Sequence, residues 1–375
     1  MKILSAVLNN IETDQRLDKV CNSLLKFGYD VELIGATLYS KPVLNKLYAT
    51  HLIEMKNQST MKKYIEFNFK LFFTLLKKAD KKTILLANDL DSLLPFYLIS
   101  KIKKIPLVFD SHEIYSELPS LHDRPKTKKV WKILEKFLLP KIKYFYTVSD
   151  GYANWFKKEY NVNPSVIRNV PNRIKFNENQ DFIFFQLPEN PNNEKILLYQ
   201  GAINPSRGID KMIEAFHNVN SCQFWIAGDG PKKQEYEQLV KDLNLAHRIH
   251  FLGNIPPKTL KTITPLAEVG MSLEEDLGLS YRYALPNKLF DFIQANVPIL
   301  ATNLPEIMQT VLTYNVGKVI ENHEPHHLAQ KLNELLAEGK KSYQERLSIA
   351  AKDLCWENEE MKLKVIFEKV IKEND

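Results

Sequence analysis

Two stretches of this sequence set a cation where helix geometry would turn it on an anion. In "YQGAINPSRGIDKMIEAF", residues 199–216, an apolar run enters a glycine turn, and Arg207-Gly208 opens the helical pattern that follows. Glycine lets a backbone approach a phosphate closely, and an arginine grips one in bidentate fashion. In "YRYALPNKLFDFIQANVPILAT", residues 281–302, a Leu-Pro-Asn turn precedes the helical run Leu289, Phe290, Phe292 and Ile293. Lys288 and Asp291 stand three residues apart in its first turn, on one face, beside the amide-rich N-terminus where anions bind. The plainer readings are a solvated loop for Arg207 and a surface ion pair for Lys288 and Asp291, worth about 0.2–0.5 kcal/mol.

Other candidates end apolar runs. His112, in "DSHE", follows the strand expected over 107–110, with Glu113 beside it. In "ANDLDS", 87–92, Asp89 and Asp91 form an Asp-x-Asp pair between a strand and a helix. Asp91 or Ser92 reads there as an N-cap, and Asp89 as a side chain turned toward an acceptor rather than a metal ligand. "NHEPHH", 322–327, reads as a helix start at Pro325 rather than a metal cluster. No metal and no cofactor is expected.

These positions depend on the elements that carry them. Apolar strand candidates fall at 3–8, 31–34, 84–87, 107–110 and 145–148, with helical patterns such as 17–27 and 130–139 between them. The series pauses over the Asn- and Pro-rich 173–192, then resumes at 196–200, 224–227, 249–252, 269–272 and 299–302. Strand-helix alternation implies parallel sheets with crossover helices. The expectation is two doubly wound halves facing a cleft, with ligands at the carboxyl ends of the strands. A length of 375 residues suits two domains. At 44% hydrophobic and 26% charged, the composition is that of a soluble globular protein. Its three scattered cysteines match no metal or redox spacing. With no long apolar run and no signal-like N-terminus, the chain reads as cytoplasmic. A net charge of +6 suits anionic ligands or surfaces. Nucleic acid is not an expected partner, because zinc-finger spacing, RNA-binding aromatic motifs and Arg-rich arms are all missing.

The order of the motifs resembles that of the family 4 retaining glycosyltransferases, which have the two-Rossmann GT-B architecture. Their Gly-Arg-Leu-x-x-x-Lys-Gly motif is similar to Gly201-Ala202-Ile203-x-x-x-Arg207-Gly208 here. Their Glu-x7-Glu motif with its following Pro-Val aligns with Tyr283, Asp291 and Asn296-Val297-Pro298. "FDSHEIYSE" (109–117), "YTVSDGYA" (146–153), "IRNVPN" (167–172), "WIAGDGP" (225–231) and "FLGNIPP" (251–257) resemble successive family segments. The departures are Ala202 for the first arginine, Tyr283 for the first glutamate, and "NNIETDQR" (9–16) for a Gly-Gly loop.

The resemblance implies an α/β GT-B fold. An acceptor domain would span 1–172, a hinge 173–192 and a donor domain 193–355, and a helix over 356–375 would cross back onto the first domain. It implies a sugar transfer from a nucleotide diphosphate donor, a UDP-sugar, to a carbohydrate or lipid-linked acceptor. The donor would meet Gly201, Arg207, Gly253, Asn254, Ile255, Tyr283, Leu285, Pro286, Asn287, Lys288 and Asp291. Arg207 and Lys288 would neutralise the diphosphate, Asp291 would hold the ribose, and His112 would stand at the transferred sugar. Asn10, Arg16, Asp89 and Glu113 would lie on the acceptor side. The competing readings are a nucleotide-sugar 2-epimerase of the same architecture and a non-catalytic binding subunit.

Two lysine-rich stretches remain, 61–82 and 124–143. In the second, Val130, Trp131, Leu134, Phe137 and Leu138 fall on one helical stripe. A stripe of this kind either faces the core with its lysines in water, or docks peripherally on anionic lipid at about 1 kcal/mol per cation.

Overall fold

The computed structural model describes residues 1–9, 11–12, 14–37, 45–57, 60–173 and 185–374. The chain forms two units, Met1–Asn169 with Asn358–Asp375, and Val170–Glu357. Of the expected hinge, residues 174–184 lie outside the described residues, and 185–192 form neither helix nor strand.

The first unit holds seven strands: β1 Lys2–Ala6, β2 Asp30–Thr37, β3 Ala49–Glu54, β4 Thr83–Asn88, β5 Leu107–Ser111, β6 Tyr144–Thr147 and β7 Ser165–Val166. All pair in parallel in the order β3-β2-β1-β4-β5-β6-β7, so the winding reverses between β1 and β4. Helices cover both faces of such a sheet, which is why β4 and β5 are buried along their whole length. The helix Trp356–Lys372 packs here too. Its Glu360 accepts from Ser23 Oγ at 3.0 Å and Lys26 Nζ at 2.6 Å, and Phe367 meets the Tyr29 ring at 5.9 Å.

The second unit holds six: β8 Lys195–Gln200, β9 Cys222–Ala227, β10 Ile249–Gly253, β11 Val269–Ser272, β12 Ile299–Ala301 and β13 Gly317–Val319. Their order is β10-β9-β8-β11-β12-β13, and the winding reverses between β8 and β11. The helix Asn287–Gln294 is seated on this sheet by Leu289, Phe290, Phe292 and Ile293, each fully buried. Gly270 in β11 makes the seat, because a Cβ there would lie 2.4 Å from the Phe292 ring. The position of Lys288 and Asp291 therefore depends on a missing methyl group two elements away. Among the described residues no helix is long and apolar enough to cross a membrane.

Gly270→Ala should overpack this contact and lower the unfolding free energy by about 1–3 kcal/mol. Denaturant unfolding compared with wild type checks it; an unchanged midpoint would show that the helix is not seated on that glycine.

Candidate active site

At the reversal point of the second unit, the strand ends crowd together on glycine. Gly201 follows β8 with φ at 131°, a conformation that favours glycine. Its N–H donates to Ala227 O at 2.9 Å, and a Cβ on Gly228 would fall 1.9 Å from Gly201 O. Gly208 (φ 68°) is similarly close to Leu273 O, and it brings Arg207 beside β11.

The residue that receives both cations is Glu274, just past β11 and 3% exposed. Lys288 Nζ lies 2.7 Å from Glu274 Oε1, and Arg207 Nη1 lies 3.7 Å from the same oxygen. Ser272 Oγ donates to Glu274 Oε2 at 2.8 Å. Burial alone would raise the pKa of this carboxyl, but Lys288, Ser272 and Arg207 outweigh burial and hold it below the usual range. Each cation also rests on a ring, Lys288 Nζ 4.0 Å from the centre of Tyr199 and Arg207 Cζ 5.1 Å from that of Tyr281. Asp291 Oδ2 accepts from Gln200 Nε2 at 3.1 Å, while Gln200 Oε1 accepts from Thr264 Oγ1 at 2.8 Å. The surface-pair reading of Lys288 and Asp291 is thus corrected: Lys288 is 8% exposed and pairs with Glu274.

Other expected donor positions fall at neighbouring strand ends and loops. Gly253 ends β10 with φ at 71°, and Asn254 is exposed. The Ile255 side chain is buried in the unit's core, so this end of the expected loop presents backbone and not side chain. Tyr283, Leu285 and Pro286 are half-buried and Asn287 is exposed, all leading into the Lys288 helix.

In the first unit, Asp110 at the end of β5 is fully buried between two cations. Arg16 grips it through Nε at 3.1 Å and Nη2 at 2.7 Å, and donates from Nη1 to Ile167 O at 3.1 Å. His112 Nε2 stands 3.0 Å from Asp110 Oδ2, and His112 Nδ1 3.2 Å from Asp89 Oδ2. Asp89 also accepts the His112 N–H at 2.8 Å and holds φ at 59°, a strained value for a non-glycine residue. Burial favours neutral groups here, yet the cations hold Asp110 down to about 2 and the two carboxylates raise His112 to about 10. His112 is therefore an imidazolium near neutral pH, a hydrogen-bond donor and not a base.

Several sequence expectations change here. Arg16 is 4% exposed and committed to Asp110, so it positions His112 through that carboxylate instead of presenting itself to an acceptor. Asn10 lies outside the described residues. Glu113 is exposed. Asp91 and Ser92 are not the N-cap; Asp89 occupies that place without a side-chain cap bond, and Ser92 Oγ donates back to Asn88 O at 2.7 Å. Asp91 is buried, which pushes its carboxyl up to about 8.

Strand ends gathered at two reversal points, one of them cationic, define a two-domain α/β protein of the GT-B class. The model described as "Glycosyl transferases group 1" matches residues 179–354, and "Glycosyltransferase Family 4" matches residues 15–177. The chain belongs to the family 4 glycosyltransferases. A sucrose-phosphate synthase from Thermosynechococcus elongatus superposes with a TM-score of 0.80 at 14% identity, over 99% of each chain. HepE from Anabaena, solved with UDP-glucose, superposes at 0.71 and 14% identity, over 98% of this chain and 100% of that one. An alpha-D-kanosaminyltransferase from Streptomyces kanamyceticus is 32% identical over 22% of this chain and 23% of its own. The alignments with curated relatives span between 19% and 37% of those relatives' lengths.

Because His112 is raised, its ion pairs stabilise the fold fully below the unfolded histidine value, about 6.5, and lose that contribution as pH rises through about 10. The His112 ring resonance should stay in its protonated position through pH 8 in an NMR titration. Asp89→Asn or Asp110→Asn should each bring the transition down, and a wild-type midpoint near 6.5 would overturn the assignment.

Proposed function

We propose that this protein is a retaining glycosyltransferase. It moves a sugar from a nucleotide diphosphate, UDP-linked, to a carbohydrate or lipid-linked acceptor in surface polysaccharide or glycoconjugate synthesis. The observation that carries this reading is the meeting of Arg207 and Lys288 on buried Glu274, beside the Gly201 turn. Two cations sharing one carboxylate leave a net positive site whose charges are already oriented. Negative charge grows on the leaving diphosphate as the glycosidic bond breaks, so preset cations favour the transition state over the ground state. Asp291, aimed by Gln200 and Thr264, is the ribose partner. HepE, solved with UDP-glucose, supports a UDP donor. In this reading His112 serves as a cationic hydrogen-bond donor.

The test is nucleotide release from UDP-sugars with candidate acceptors, in EDTA and in magnesium. Arg207→Ala should lower kcat more than it raises the donor KM; a loss of about 3 kcal/mol would be roughly a hundredfold in rate. Asp291→Ala should weaken donor binding by about 1.5–3 kcal/mol in calorimetry. Lys288→Ala strands a buried carboxylate at a cost of about 3–5 kcal/mol, so its effect is read in a Glu274→Gln background. Acceptor-independent appearance of a C2 epimer, or activity that requires metal, would refute the reading.

The same proposal places the protein in the cytoplasm, touching anionic membrane through its lysine-rich helices. Co-sedimentation with anionic vesicles should fall as salt rises; equal binding to neutral vesicles would count against it.

A further inference from the structure

Three helices of the first unit, Thr60–Lys78, Leu90–Lys103 and Pro125–Leu138, enclose a groove of about 520 Å³, a size typical of small-molecule sites, about 300–1,000 Å³. The sequence left the stripe of Val130 and Phe137 open between facing the core and docking on anionic lipid. In the structure they are 44% and 53% exposed, while Trp131 and Leu138 turn inward. Across the groove Ile65 and Phe69 are each 65% exposed and Phe73 is 52% exposed. A contiguous apolar surface left in water marks a binding site.

The floor is fixed by backbone chemistry. Pro95 has no N–H, so the helix cannot satisfy the carbonyl of Asp91 four residues back. Asn68 Nδ2 supplies that bond at 2.7 Å and ties the first two helices together. Asp91 lines the floor at 6% exposure, and its Oδ1 meets no hydrogen-bond partner among the described residues. It lies two residues from Asp89, the partner of His112.

The surroundings are cationic. The three helices carry twelve lysines against Glu66, Asp91 and Glu135. Lys63 leans over the ring of Tyr64 on the groove wall, 5.7 Å from its centre, while Lys101 and Lys141 lie over Tyr97 and Phe137, at 5.4 and 3.1 Å, outside its lining. An apolar trough on helices this rich in lysine is complementary to an anionic amphiphile, and its concavity suits one chain better than a flat bilayer.

We infer that this groove holds the hydrocarbon chain of a lipid-phosphate acceptor, with lysines of the surrounding helices on its phosphate. The inference rests on the transferase reading and names its acceptor class. Trp131 on the groove wall, one of four tryptophans, gives a direct readout. A brominated hexadecyl phosphate, kept below its micelle concentration and without vesicles or donor, should quench tryptophan fluorescence saturably. Trp131→Phe should abolish the quenching. Phe69→Asp, at an exposed position that leaves the fold intact by circular dichroism, should weaken binding at least tenfold. The matching brominated alcohol should bind more weakly than the phosphate. Quenching only by brominated-lipid vesicles would make the surface a bilayer contact and overturn the inference, and so would no quenching at all. Saturable binding with transfer only to a carbohydrate acceptor would overturn the acceptor class and leave the groove a lipid site, whereas no transfer to any acceptor would overturn the transferase reading itself.

Discussion

A carboxylate taken out of water must be matched by positive charge, and in the second unit that demand organises the site. Glu274 is buried past β11, where removing one partner of such a pair costs about 3–5 kcal/mol. Lys288 is in the first turn of the helix Asn287–Gln294 and Arg207 in the turn just before the helix Ile209–Ala215, so meeting Glu274 fixes both helix starts relative to β11. Glycines make the close approaches around it: Gly208 lets the Arg207 turn meet Leu273 O, next to Glu274, and Gly228 lets its backbone meet Gly201 O. Tyr199 and Tyr281 hold the cations' long side chains in place, and an arriving anion meets donors whose rotamer entropy is already spent.

The first unit repeats the device with other residues. Asp110 ends β5 between Arg16 and His112, as Glu274 lies between Lys288 and Arg207. The outcomes differ because an arginine and a lysine stay charged regardless, whereas a histidine takes its charge from its surroundings. In one unit the buried acid orients cations, and in the other it creates one. The strained backbone of Asp89 belongs to that arrangement, since at φ 59° the residue accepts both the ring and the amide of His112.

Much of this was legible in the sequence, for physical reasons. Strands buried on both faces are continuous apolar runs, so β1, β2, β4, β5 and β6 could be read directly. The edge strand β3, "ATHLIE", mixes polar and apolar residues, and β7 and β13 span two and three residues, too short to show a period. Arg207, Lys288, Asp291 and His112 were legible because each lies at a junction of strand, turn and helix. Glu274 was not, although it follows an apolar strand just as Asp89 does; an acidic run at 274–276 reads as solvated until burial is known. Arg16 was misplaced for the converse reason. Its partner is 94 residues away, and only the sheet order brings them together. Periodicity likewise gave the stripe at 130–138 but not its surroundings, since a helix with one apolar face looks the same whether or not anything covers it.

The first unit is discontinuous in the chain, and that has a consequence for how the protein is made. Residues 358–375 belong with 1–169, while 170–357 form a unit from one uninterrupted stretch. During synthesis the second unit can fold as soon as it emerges, whereas the first waits. Its sheet can pair early, but Ser23 and Lys26 meet Glu360, and Tyr29 meets Phe367, only after some 330 further residues have been added. Contacts so far apart carry a large loop-closure cost and form late. The unit bearing His112 is therefore the last to be completed, and its apolar surface is the part most exposed to wrong partners in the interval.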